Sequence, residues 1–184
     1  MPNSDREQAK QVILEIVRRC GGEFEGKTKL YKTFYLAHLY YAGEAPGYLT
    51  EWPIVRMPHG PGIDCGDALL HELVTEGALS AEPHRIGPYR STKYRVVQGF
   101  DSGQTFDEVA LQSIQSAIDF VLARSASQLS ELTHEQSRSW NSTPDGSILN
   151  IYLDLIPDEE YDERRGQLQS LRDEIAAAFG DAGF

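Results

Sequence analysis

The chain has no uninterrupted apolar run approaching the ~20 residues a membrane-spanning helix needs, although 40% of its 184 residues are hydrophobic. Its opening, MPNSDREQAK, carries no apolar stretch of the kind found in a secretory leader. These two absences predict a cytoplasmic protein with no membrane partner. Cysteine is scarce: Cys20 and Cys65 stand alone and far apart, which does not suggest a disulfide framework. Positive charge is in deficit, with 17 basic residues against 28 acidic ones and a formal net charge of −11. A general nucleic-acid binder draws most of its affinity from neutralising phosphates, so this balance argues against DNA or RNA as a general partner. It favours a basic protein partner attracted at long range, or plain solubility, the commoner reason for an acidic surface.

Catalytic patterns are equally sparse. Gly21-x-x-x-x-Gly26-Lys27-Thr28 matches the phosphate-binding Walker A pattern letter for letter. That loop needs a strand before it and backbone amides free to surround phosphate. Here residues 9–17 have helical spacing, and Glu23 and Glu25 would repel the ligand. LNIYLD, ending at Asp154, imitates the acidic magnesium strand, but no βαβ alternation joins the two. His59, Cys65 and His71 follow no zinc spacing. There is no G-x-S-x-G elbow, and Asp158-Glu159-Glu160 fits a helix start, where the macrodipole favours acids. The expectation is a non-enzymatic chain without cofactor or metal.

Hydrophobic spacing predicts a mainly α, α+β fold: a compact bundle of about six or seven helices with one small β-hairpin. The first helix covers residues 5–20, with Ser4 and Glu7 at capping-box spacing. A second runs from Lys27 to Tyr41, capped by Thr28 with Lys27 solvated. Its apolar stripe is wide enough to make it central and buried on most sides. Residues 44–62 are too rich in proline and glycine for a helix and predict a loop with an extended piece at Pro53–Met57. Asp64 caps a third helix closed by Gly77, and the hairpin over residues 79–97 follows. Helix and hairpin together resemble the last helix and wing of a winged helix. Arg85, Arg90, Lys93 and Arg95 lie on that hairpin as the one basic cluster. They are candidates for phosphate contact, weighed against the habit of hairpin edges to carry basic residues that discourage strand pairing.

Thr105 and Glu108 predict the cap of a fourth helix, and residues 127–135 a short fifth. A polar loop over residues 136–147 precedes a sixth helix carrying Ile148, Ile151, Tyr152 and Leu155. Past Pro157, residues Tyr161, Arg164, Leu168, Leu171, Ile175 and Ala178 form an a/d-like seam on a terminal helix reaching Phe179. That seam has two destinations, the domain's own core or a second copy of the chain, and the first is favoured. The whole reads as a single domain over residues 1–184, with a motif-bearing region at 27–157 and a helical extension at 158–184.

Three stretches carry a family resemblance. Lys29-Leu30-Tyr31-Lys32-Thr33-Phe34-Tyr35-Leu36-Ala37 resembles the opening KLQKLLYYA of the Panacea domain, found in SocA-like antitoxins and phage-associated proteins. His59-Gly60-Pro61 is similar to its aromatic-Gly-Pro turn, although Met57-Pro58-His59-Gly60-Pro61 stands where the family has WKYGP. Leu129-Ser130-Glu131-Leu132-Thr133-His134-Glu135 with Trp140 resembles its closing LSELTHE...W signature. The resemblance implies an antitoxin that neutralises a cognate toxin, encoded next door, by direct protein–protein binding. Some relatives act as adaptors that present the toxin to a protease, such as an AAA+ protease. The alternative is a winged-helix-like DNA-binding regulator. Candidate partner-binding residues are Lys32, Tyr35, His59, Gly60, Pro61, Thr133, His134 and Trp140. Thr133 and His134 are expected first to satisfy local backbone groups. Lys32, mid-helix among apolar residues, either reaches solvent or pairs with an acid such as Glu135.

A thermal-shift titration with ATP and magnesium checks the rejection of nucleotide binding, and no rise in melting temperature is expected. A stabilisation near the ~2.7 kcal/mol that a site gains at a hundredfold excess over Kd, lost in Lys27→Ala, contradicts it.

Overall fold

A computed structural model describes residues 3–100 and 105–179. The chain divides into two units, Met1–Asp154 and Leu155–Phe184. The first unit is mixed α+β, as expected. Helix α1 (Asn3–Arg19) buries Val12, Ile13, Ile16 and Val17. Ser4 lies inside it and does not cap it. Helix α2 (Lys27–Glu44) buries eight residues between Leu30 and His38, six of them consecutive, so it is central. A helix buried over so much of its circumference needs neighbours on several sides. It packs on α4 (Glu108–Leu122), whose Ile114, Ala117, Ile118 and Val121 complete the core. Gly26, with φ 91°, precedes α2 as its cap, and Thr28 sits in the first turn.

Between α1 and α2 lies a strand the helical periodicity did not reveal, β1 (Glu23–Glu25). The expected hairpin is present as β4 (Leu79–Ile86) and β5 (Tyr89–Val96), joined by the two-residue turn Gly87-Pro88. β1 adds to its open side, giving the antiparallel order β1-β5-β4 with Phe24 opposite Tyr94. Phe24 and Tyr94 face inward, and Glu23 and Glu25 face out. The Walker A letters therefore span a helix end and a sheet strand. The extended piece expected at Pro53–Met57 is strand β2 (Ile54–Met57), and the rest of the expected loop supplies its partner: β2 pairs with β3 (Gly60–Ile63) as a second hairpin. Helix α3 (Gly66–Thr75) follows, with Cys65 and not Asp64 at its cap position.

Further corrections fall after α4. Asp107 is its N-cap, accepting a hydrogen bond from the Ala110 N–H at 2.7 Å; Thr105 lies two residues earlier. Helix α5 (Ala126–Gln136) starts with a full capping box of Ser125 and Gln128. The polar loop expected at 136–147 contains a short helix, α6 (Arg138–Ser142), and the expected sixth helix is a single 3-10 turn at Ile151–Asp154. Ile148 instead forms an isolated bridge with Val55. The second unit contains α7 (Asp158–Phe179), with Leu168, Leu171 and Ile175 half or more exposed. No helix among the described residues is long and apolar enough to cross a membrane.

The two candidate caps of α4 give different outcomes in urea unfolding. Asp107→Ala should cost about 1 kcal/mol by orphaning the Ala110 amide, whereas Thr105→Ala should change stability by less than about 0.5 kcal/mol.

Candidate functional site

Lys32 enters the interior because it sits on the most enclosed face of α2. Its residue is 2% exposed, and its Nζ donates to Thr133 Oγ1 at 3.0 Å. No carboxylate among the described residues pairs with it, Glu135 included, and the side chain does not extend into bulk solvent but ends at the wall of a cleft. Burial pushes its ammonium down to about 8, so it keeps its proton at neutral pH. Thr133 Oγ1 in turn donates to the Leu129 carbonyl at 2.8 Å, the local bond expected of it.

The β2–β3 hairpin closes on this ammonium through Gly60. Its φ of 109° disfavours any side chain, and a Cβ there would overlap Lys32 Nζ and approach Thr133 Cγ2 at 3.1 Å. Glycine is thus required twice at this position. Ser130 Oγ, on α5, donates to the His59 carbonyl at 3.1 Å and ties the turn to that helix. Pro61 is buried opposite Arg56 in the hairpin, while Pro58 and His59 are exposed. Lys32, Met57, Pro58, Gly60 and Pro61 line an open cleft of about 340 Å³, bordered by Lys27 and Asp67.

Beside the hairpin stands Trp140. Its Nε1 donates to the Met57 carbonyl at 2.9 Å, the His134 ring stacks on it at 4.2 Å, and the Arg56 guanidinium lies 4.2 Å from its centroid. Trp140 is fixed from behind by Asp154. That carboxylate accepts from Tyr35 Oη at 2.8 Å, Ser137 Oγ at 3.1 Å, the Ser139 amide at 2.8 Å and Ser139 Oγ at 2.5 Å. Tyr35 therefore contributes by holding α6 in place; burial, and then Asp154, push its hydroxyl pKa up. Of the eight candidate residues, Lys32, Gly60 and Thr133 meet at one point, His59 and Pro61 flank it, and His134 stacks on Trp140. Tyr35 joins through Asp154. Arg56, Ser130 and Asp154 were not foreseen.

The family model described as antitoxin SocA-like, Panacea domain, matches residues 30–141, more than half of the chain. The chain belongs to this family. No curated protein and no solved structure matches it. The Panacea-domain match begins on α2 and ends one residue past Trp140, so it encloses every residue of the cluster just described except Asp154 and the bordering Lys27.

Other candidates are placed differently. Lys93 pairs with Glu25 at 2.9 Å and Glu23 at 3.4 Å, and Arg95 with Glu82 at 2.6 Å and Glu23 at 3.1 Å. These contacts hold the Glu23 and Glu25 carboxyls below their usual range. Arg85 and Arg90 face each other across the exposed hairpin tip. The four cations thus form two separate pairs. Lys27, expected in solvent, is half exposed and pairs with Asp67 at 2.9 Å. Cys65 is exposed, but neighbouring Asp64 pushes its thiol up, the reverse of what a nucleophile needs. Burial pushes Cys20 up to about 11.

Lys32 gives this cluster a pH signature. Its folded value of about 8 lies below the unfolded value of 10.5, so between them the unfolded chain holds the extra proton and stability rises with pH. The span is roughly 3 kcal/mol as an upper limit. Tyr31 and Tyr35, both pushed up, act in the opposite direction above their unfolded value of 10.0. The difference in unfolding free energy between wild type and Lys32→Met, measured from pH 7 to 10, should therefore shift in favour of wild type as pH rises. A flat difference contradicts an uncompensated ammonium.

Proposed function

We propose that the chain is an antitoxin that neutralises a cognate toxin by direct, non-catalytic binding in the cytoplasm. The face that carries His59, His134 and Trp140 over Lys32, Gly60 and Thr133 would make the contact. Membership of the SocA-like Panacea family carries the reading. The geometry supports the choice of face: an exposed imidazole and a half-buried indole sit on a backbone pinned by α2, α5 and the β2–β3 hairpin. Such rigid aromatic anchors lose little side-chain entropy on binding. Presentation of the toxin to an AAA+ protease is a further step compatible with this contact.

A second reading, DNA binding through a winged helix, has one favourable observation. The strand β1 added to the β4–β5 hairpin behind α3 is a feature that architecture shares, although here the β2–β3 hairpin interrupts the chain between α2 and α3. Against it stand the ion pairs of Lys93 and Arg95 and an α3 that carries Asp67 and Glu72 and no Lys or Arg.

Co-expression with the product of the adjacent gene tests the proposal. The neighbour alone should arrest growth, co-expression should restore it, and the two should co-purify. A neighbour that is harmless and never co-purifies contradicts the antitoxin reading. Salt-sensitive binding to promoter DNA, lost on replacing Arg85 and Arg90, favours the regulator instead.

A further inference from the structure

The protein buries two lysines, and it treats them differently. Lys10, 2% exposed, is surrounded by carboxylates: Glu76 at 2.6 Å, Glu7 at 2.8 Å and Glu72 at 3.9 Å. Lys32 is buried to the same degree and has one hydroxyl, Thr133, with no carboxylate among the described residues. An ammonium has three donors and loses several kcal/mol of hydration when enclosed, unless an anion replaces it. Its surroundings also make room for it, since Gly60 is the residue that leaves space for Nζ. Lys32 lines two openings, the cleft of about 340 Å³ under the hairpin and a smaller one of about 180 Å³ toward Asp154. In the smaller one the Asp154 carboxylate is already engaged by four donors. The larger cleft is the one with an unmet charge.

We propose that the cleft formed by Lys32, Met57, Pro58, Gly60 and Pro61 is a receptor for one carboxylate side chain, an Asp or Glu, of the protein partner. The identity of the carboxylate's owner rests on the antitoxin reading; the receptor chemistry does not. Three features select a carboxylate on a hydrocarbon stem. A single ammonium without a carboxylate partner, that of Lys32, matches one negative charge, since Lys27 on the same cleft is paired with Asp67. Asp67, on the same cleft, already takes the Lys27 ammonium at 2.9 Å, so the second charge of a dianion such as phosphate finds no free cation there. Met57, Pro58 and Pro61 offer apolar walls for a methylene stem and exclude water once it is in place, which strengthens the pair. The contact would fix the register of the complex, since an acid elsewhere on the interface would meet the chain's net negative charge.

The test uses the full chain with 13C-labelled lysine, following the Lys32 side-chain signal by NMR. Butyrate, a stand-in for the Glu side chain, should move that signal saturably and raise its titration midpoint. The neutral isostere butyramide should not, and inorganic phosphate should act only weakly and without saturation. Absence of a saturable response to butyrate overturns the proposal, as does an equal or stronger response to phosphate. A second arm measures affinity for the adjacent-gene protein. Lys32→Met, first shown by circular dichroism to fold, should bind about thirtyfold more weakly or worse, since the partner's acid is left buried and unpaired. Equal affinity in wild type and variant overturns the carboxylate contact while leaving the antitoxin reading intact. A neighbour that binds neither defeats that reading, and the butyrate result then decides the receptor on its own.

Discussion

One buried ammonium holds together three stretches that lie far apart in the chain. Lys32 comes from α2, Gly60 from the β2–β3 hairpin and Thr133 from α5, and each constrains the other two. The ammonium occupies the space a Cβ at residue 60 would need, so the hairpin can close on α2 only with glycine there. Thr133 then supplies the hydroxyl that keeps the cation from being wholly without a partner. These are also the three stretches on which the sequence resemblance rests, so they describe one junction rather than three separate features.

Everything on the outer face follows from that junction and from Asp154. The carboxylate gathers Tyr35, Ser137 and Ser139, which anchors α6 to α2. Trp140 is thereby held where its indole N–H reaches the Met57 carbonyl, and its ring receives His134 on one contact and Arg56 on another. A helix of five residues has little stability of its own. Its position is determined by tertiary hydrogen bonds, so the half-buried indole is presented by a rigid support. Arg56 also reaches the Thr143 carbonyl at 2.5 Å, extending the brace to the following loop.

The long helices were legible because ten or more residues give the apolar period room to repeat. α1, α2 and α4 lie within a few residues of their expected spans, and the enclosure of α2 followed from its broad stripe. Short elements were not. β1 has three residues and α6 five, too few for either period to register. β2 was legible as an extended piece, but its partner β3 was hidden by Gly60, Pro61 and Gly62, which usually mark loops, although Ile54–Met57 and Gly60–Ile63 pair residue for residue. Caps went astray where several capping residues crowd together, as Thr105 and Asp107 do before α4. Asp154 belonged to a spurious magnesium-strand pattern, and its true partners lie 15 to 119 residues away, beyond any local signal. Lys32 was singled out, but the absence of a counter-charge needed the fold.

The same fold argues over which surface meets a partner. The basic hairpin satisfies half of its cations internally, through Glu23, Glu25 and Glu82. The Trp140 face leaves its ammonium uncompensated and its His59 and His134 side chains exposed. Hydrogen exchange followed by mass spectrometry, on the chain alone and with the adjacent-gene protein bound, distinguishes them most directly. The account predicts new protection at residues 56–61 and 133–142, with residues 85–95 unchanged. Protection confined to residues 85–95, with the Trp140 region exchanging as before, would contradict it.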